Sequence, residues 1–135
     1  MNCLKLQFPD RGHDLIIDKA TMDTLLCSEN PYLTVARYLK EVQRVLRLGG
    51  KYFLITTGSP EKRMLHLKRS HLSFEIETKE VKRMTDDIEV THYCYICTKA
   101  AGSEKAVLNW PSEKKIIYDE EGLDSDYDDG YSDKE

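Results

Sequence analysis

This chain of 135 residues lacks the features that would place it in a membrane, in a secreted scaffold or around a metal. No apolar run approaches the roughly 20 residues needed to cross a bilayer, so a spanning helix is excluded. Met1-Asn2-Cys3-Leu4-Lys5 passes straight into Phe8-Pro9-Asp10 without the apolar stretch of a secretory signal, which points to a cytoplasmic or nuclear protein. There are four cysteines, Cys3, Cys27, Cys94 and Cys97, and the one C-x-x-C, Cys94 to Cys97, has no second beside it. Thr91, His92, Tyr93, Tyr95 and Thr98 around it favour a strand. On a strand, positions three apart face opposite ways, so the two sulfurs cannot share an ion, and the cysteines are read as structural. His13, His66, His71 and His92 are scattered and read as surface or strand residues rather than ligands.

What remains is a soluble composition, 40% hydrophobic and 33% charged, of a length that suits one small domain. The net charge of -4 conceals two opposite parts. Asp119 to Glu135 holds nine acidic residues and one lysine, or -8, which leaves +4 on residues 1 to 118. An acidic segment with so few apolar groups cannot bury enough surface to offset its ordering entropy, so 119–135 is expected as a disordered tail. Ser125 and Ser132 each have an acidic residue three positions on, a spacing that resembles acidophilic kinase sites. A plain solubilising tail is the favoured reading.

The densest pattern runs from His13 to Lys51. Leu15, Ile16 and Ile17, held between Asp14 and Asp18, read as a short strand buried on both faces. Asp18 and Lys19 then stand at its carboxyl end, where ligands gather in open parallel sheets. A short helix is expected over Thr21 to Cys27, starting at Thr21 or Asp23. Asn30 as cap and Pro31 at the first position announce a second helix to Leu48, with Gly49-Gly50 after its last turn. Val35, Leu39, Val42, Val45 and Leu46 recur at helical spacing, and Lys51 to Thr57 reads as a buried strand. Strand, helix, strand is a parallel crossover unit.

Further on, Ser59-Pro60 opens a helix to about Arg69 that is basic through Lys62, Arg63, His66, Lys68 and Arg69. Clustered cations would follow a nucleic-acid backbone, but no aromatic residues interleave them, so a solvated face is preferred and nucleic acid is not expected as a partner. Residues 70–84 alternate, with Leu72, Phe74 and Ile76 facing one way, and Ile88 to Lys99 alternates again. They read as an antiparallel pair closing the sheet. Leu4, Leu6 and Phe8 suggest a brief extended segment along the carboxyl rim. The domains expected are 1–101 as the body, 102–118 as a linker able to dock on it through Trp110 and Ile116, and 119–135 as the tail.

The order of these signatures is specific. Leu6-x-Phe8-Pro9-Asp10, then Asp14-Leu15-Ile16-Ile17-Asp18-Lys19-Ala20-Thr21-Met22-Asp23, then Glu41-Val42-x-Arg44-Val45-Leu46-x-x-Gly49-Gly50-Lys51 resembles the second half of a class I S-adenosylmethionine-dependent methyltransferase. Within that superfamily it is similar to the group containing the elongation factor 1-alpha lysine methyltransferases. That group has D-K-G-T-L-D where this chain has Asp18-Lys19-Ala20-Thr21-Met22-Asp23, and P-x-x-R matches Pro60 to Arg63.

The resemblance implies an α/β fold, a partial Rossmann-like methyltransferase sheet with strands corresponding to the fourth to seventh. It implies S-adenosylmethionine as the family's cofactor and a protein substrate, an elongation factor among the choices. Asp18, Lys19, Thr21 and Asp23 become the candidate catalytic residues, with Asp18 orienting a lysine amine or lining the methyl pocket. Asn2 and Asp18 are the candidate donor contacts. The family grips its donor on a glycine-rich loop, and no G-x-G occurs in these residues, so the chain is expected to be a truncated product, inactive alone. Two alternatives stay open: Asp18-Lys19 as a solvated strand-to-helix junction, and the chain as an interaction module that pairs with a partner through an exposed sheet edge.

Overall fold

Strand alternation and helical spacing place four strands and their flanking helices as follows. The computed structural model describes residues 6–112 and 114–116. In chain order the elements are β1 (His13–Lys19), α1 (Thr21–Leu25), α2 (Pro31–Val45), β2 (Leu46–Thr56), α3 (Pro60–Leu67), β3 (Phe74–Thr85), β4 (Ile88–Lys99) and α4 (Ser103–Ala106), then one 3-10 turn over Val107–Asn109. The sheet order is β1-β2-β4-β3. β1 and β2 run parallel, and β4 is antiparallel to both β2 and β3. This is the mixed α/β sheet the sequence led us to expect.

The apolar stripe of α2 explains where the helices sit. Val35, Leu39 and Val42 pack with Met22 of α1 and Leu67 of α3 onto Tyr52, Leu54, Tyr95 and Cys97 of the sheet. Each such side chain gains about 1.5–3 kcal/mol over an exposed one. Phe74 and Ile76 join the same side. Cys97 therefore lies in the core while Cys94 looks the other way, and burial pushes the Cys97 thiol up to about 12. A second cluster forms where Ile116, fully buried, meets Tyr32, Leu33 and Ala36, with Leu65 and Trp110 beside it.

Several expectations are corrected. β1 is not buried on both faces: Ile16 packs on the core, but Leu15 is 50% and Ile17 62% exposed, because they point to the opposite face of an edge strand. α2 stops at Val45 rather than Leu48. Leu46 already has extended backbone (φ -78°, ψ 139°), and Gly49 and Gly50 lie inside β2 rather than after a helix. Gly50 is fitted there, since a Cβ would come 2.9 Å from the Arg47 carbonyl and 3.2 Å from that of Asp14.

Asn30 and Ser59 occupy the helix starts without side-chain caps; the Asn30 carbonyl accepts the Thr34 N–H, and the Ser59 carbonyl accepts those of Lys62 and Arg63. The segment from Leu6 to Asp10 runs at the far end from the carboxyl rim. Arg44, in the last turn of α2, gathers it by donating to the carbonyls of Leu6 (2.8 Å) and Phe8 (2.9 Å) and to Asp10 (2.6 Å). His66 and His71 are buried rather than on the surface, at 2% and 0% exposure. His66 meets Tyr32 edge-on and His71 meets Trp110, so both fill core positions as aromatic rings.

Candidate functional site

β1 and β2 end side by side, with Asp18 in register with Leu54 and Lys19 with Ile55, so the turns into α1 and α3 share one rim. Asp18 turns inward there. It is 2% exposed, and its carboxylate accepts from the Thr21 N–H (2.8 Å), the Met22 N–H (3.2 Å), the Tyr38 hydroxyl (2.7 Å) and the Tyr52 hydroxyl (2.7 Å). The two amides are among the orphan donors of the first turn of α1, so Asp18 serves that helix start from two residues before Ala20. Both buried phenols thus place their hydroxyls on this carboxylate. Burial, then the charges of Tyr38 and Asp18, hold the Tyr52 phenol well above its ordinary range, so it stays a donor.

Ala20 makes the turn possible at some cost. It has φ 90° and ψ -13°, a conformation in which glycine is at ease and an alanine Cβ is crowded.

Asp23 holds the second half of the rim. Its Oδ1 accepts from the Thr56 hydroxyl at 2.7 Å and from the Arg63 guanidinium at 3.0 Å. The Thr56 oxygen in turn accepts the Gly58 N–H (3.0 Å), and the Tyr95 hydroxyl donates to the Gly58 carbonyl (2.7 Å). A Cβ at Gly58 would sit 2.3 Å from Cζ of Arg63, so any larger residue there would push the guanidinium aside. The D-K-A-T-M-D stretch and the P-E-K-R stretch, 40 positions apart at Asp23 and Arg63, thus meet in one ion pair. The Asp23 side chain keeps 37% exposure, and its Oδ2 has no hydrogen bond among the described residues. Lys19 and Thr21 are exposed on the same rim.

Four of the five candidate residues are therefore placed: Asp18 inside, Asp23 at the boundary, Lys19 and Thr21 outside. Asn2 lies outside the described residues. Sequence reasoning missed Tyr38, Tyr52, Thr56 and Arg63 as parts of this network. A tyrosine on the apolar stripe of a helix and another in a buried strand were the available signal, because a buried phenol needs an acceptor.

Comparison with known proteins follows the same line. No protein-family profile matches the chain. The bovine EEF1A lysine methyltransferase 4 is 31% identical over 84 residues, 56% of this chain and 33% of that protein. The mouse eEF1A lysine and N-terminal methyltransferase is 40% identical over 58 residues, 42% of this chain and 8% of that protein. A mitochondrial citrate synthase-lysine N-methyltransferase of Danio rerio is 25% identical over 101 residues, 70% of this chain and 39% of that protein.

The chain resembles the class I methyltransferases. Solved structures agree on the fold: a SAM-dependent methyltransferase from Methanosarcina mazei has a TM-score of 0.52 at 20% identity, covering 74% of this chain and 65% of that one. A structure concerned with converting a disulfide bond into a thioacetal group during echinomycin biosynthesis has a TM-score of 0.53 at 11% identity, covering 90% of this chain and 60% of that one. This methyltransferase-like chain spans a third of the bovine relative and less than a tenth of the mouse one. No helix among the described residues is long and apolar enough to cross a membrane.

Proposed function

We propose that these residues form the acceptor side of a protein-lysine methyltransferase, with an elongation factor as the first acceptor to test. The observation that carries this reading is the open Oδ2 of Asp23, held at the rim by Thr56 and Arg63. A carboxylate oxygen so placed suits a hydrogen bond from the N–H of an acceptor lysine amine, leaving its lone pair for the methyl group, and Lys19 and Thr21 flank it. Asp18 is a positioning residue: its oxygens are taken by four donors, and its work is to fix the strand end and the start of α1. The relatives named as eEF1A and citrate synthase lysine methyltransferases support a lysine acceptor.

S-adenosylmethionine supplies the methyl group in the family, but the residues present do not fit it. The buried acid at the rim has its carboxylate engaged by four donors, and no G-x-G occurs among these 135 residues. We therefore assign no step through the donor to these residues. Isothermal titration of the chain with S-adenosylmethionine tests this: no saturable heat is expected up to about 1 mM, a Kd corresponding to about -4 kcal/mol. Micromolar binding, or methylation of any substrate by the chain unaided, would overturn it.

A second reading rests on the edge position of β1 with Leu15 and Ile17 exposed, which suits a partner strand. Gel filtration decides between them, since a monomer at all concentrations leaves strand pairing without support.

A further inference from the structure

A cavity of about 270 Å³ lies between α2 and the segment that follows β4. It sits where β2 begins and β4 ends, the pole of the sheet opposite the rim of Asp18 and Thr56. Its charged lining is Arg11, Lys40, Arg44, Lys99, Asp10 and Glu104.

Pairing these charges leaves an excess. Arg44 is taken by Glu41 and Asp10, with the Leu6 and Phe8 carbonyls filling its remaining donors. Arg11 is paired with Glu104. Neither lysine has a carboxylate partner among the described residues. Lys99 is 5% exposed and donates to the Leu46 carbonyl at 2.7 Å, which uses one of the three donors of an ammonium. Lys40 has its ammonium 5.0 Å from the centroid of the Trp110 ring, a contact that brings no negative charge. Gln43, on the same wall, is committed to the His71 carbonyl and the Ser73 N–H, so it holds the wall in place rather than turning to a ligand.

A buried ammonium with one neutral acceptor is costly, and burials of this kind ordinarily come with an anion. Desolvation accordingly lowers the Lys99 pKa. A smaller cavity of about 130 Å³ shares Lys99, Arg11 and Glu104 with the first, so space adjoins this lysine in both.

We propose that this cavity, lined by Lys40 and Lys99, binds a phosphate group, free or as a small phosphate monoester, at the open donors of Lys99. Because Arg44 faces two carboxylates, the four cations exceed Asp10, Glu41 and Glu104 by one charge, and a phosphate meets that excess while offering three acceptor oxygens to the open ammonium donors, where a carboxylate offers two. Lysines suit it as point charges that need no planar partner.

The test is thermal unfolding of the full chain in low-millimolar inorganic phosphate and, separately, glycerol 3-phosphate, against acetate and chloride at matched ionic strength. Both phosphates are expected to raise Tm where acetate and chloride do not. Lys40→Gln should weaken the apparent affinity at least fivefold and Lys99→Gln should abolish the shift, while Lys62→Gln on α3 leaves it unchanged. If Lys99→Gln does not fold, Lys40→Gln carries the comparison. Tighter binding of glycerol 3-phosphate than of inorganic phosphate identifies a monoester; the reverse identifies the free ion. Equal behaviour of phosphate and chloride, or as large a loss from Lys62→Gln as from Lys40→Gln, would overturn the proposal.

Discussion

Replacing Ala20 by glycine should stabilise the protein, although glycine usually does the opposite. In the unfolded chain the change adds backbone freedom and costs about 0.4–1 kcal/mol. In the folded chain Ala20 sits at φ 90°, where a Cβ costs about 1–2 kcal/mol that glycine does not pay. The difference favours the variant by about 0.5–1 kcal/mol. The same substitution at Ala36 provides the contrast. Ala36 lies within α2 and is 1% exposed, so glycine there loses about 1 kcal/mol of helix propensity and about 0.8 kcal/mol of buried methyl. Urea unfolding followed by circular dichroism, with slopes of about 1–3 kcal/mol per molar, should move the Ala20→Gly midpoint up by a few tenths molar and the Ala36→Gly midpoint down by more. If both variants lose stability alike, the strained turn at the rim is not as described, and the positioning of Asp18 over Thr21 and Met22 falls with it.

Two other outcomes follow from buried groups. His66 and His71 are held neutral by burial, with pKa values lowered to about 3 and about 4, whereas in the unfolded chain they take up a proton near 6.5. Between these values the unfolded state binds more protons, so stability is complete above about pH 7 and falls as the pH drops below 6.5; at pH 5 each histidine costs about 2 kcal/mol. Urea midpoints at pH 7.5 and 5.0, read from the fluorescence of Trp110 against His71, check this, and equal midpoints would contradict it. At the rim, Gly58→Ala displaces the Arg63 guanidinium and so loses the same ion pair as Arg63→Ala. Each should cost about 1–3 kcal/mol, and the double variant little more than either alone; additive losses would show that the two positions are not coupled.

The local pattern carried a good deal of this molecule. Leu15 to Ile17, the periodic apolar residues of α2, and the alternations around Phe74 and Tyr95 each specify an element, because strand and helix periods are properties of the backbone. The motif around Asp18 and Asp23 likewise marks a strand end, since a polar pair directly follows the apolar triplet Leu15 to Ile17. Reading Asn30 as a side-chain cap and Gly49-Gly50 as a helix stop failed, because both rest on local chemistry that packing overrode. Leu46 is drawn into the core, and its carbonyl receives Lys99 from 53 positions away.

Which residues meet across the fold was left to the tertiary structure. Asp18 is read in sequence as a polar residue at a strand end, but whether it faces solvent or two tyrosines depends on α2 lying over that end. Arg63 meets Asp23 only because β1 and β2 finish in register, and Lys40 and Lys99 line one cavity only because α2 and β4 share one pole. Sequence alone determined the elements and the family they resemble, since these depend on near neighbours along the chain. The partners of each buried charge depend on distant ones, and folding alone decides them.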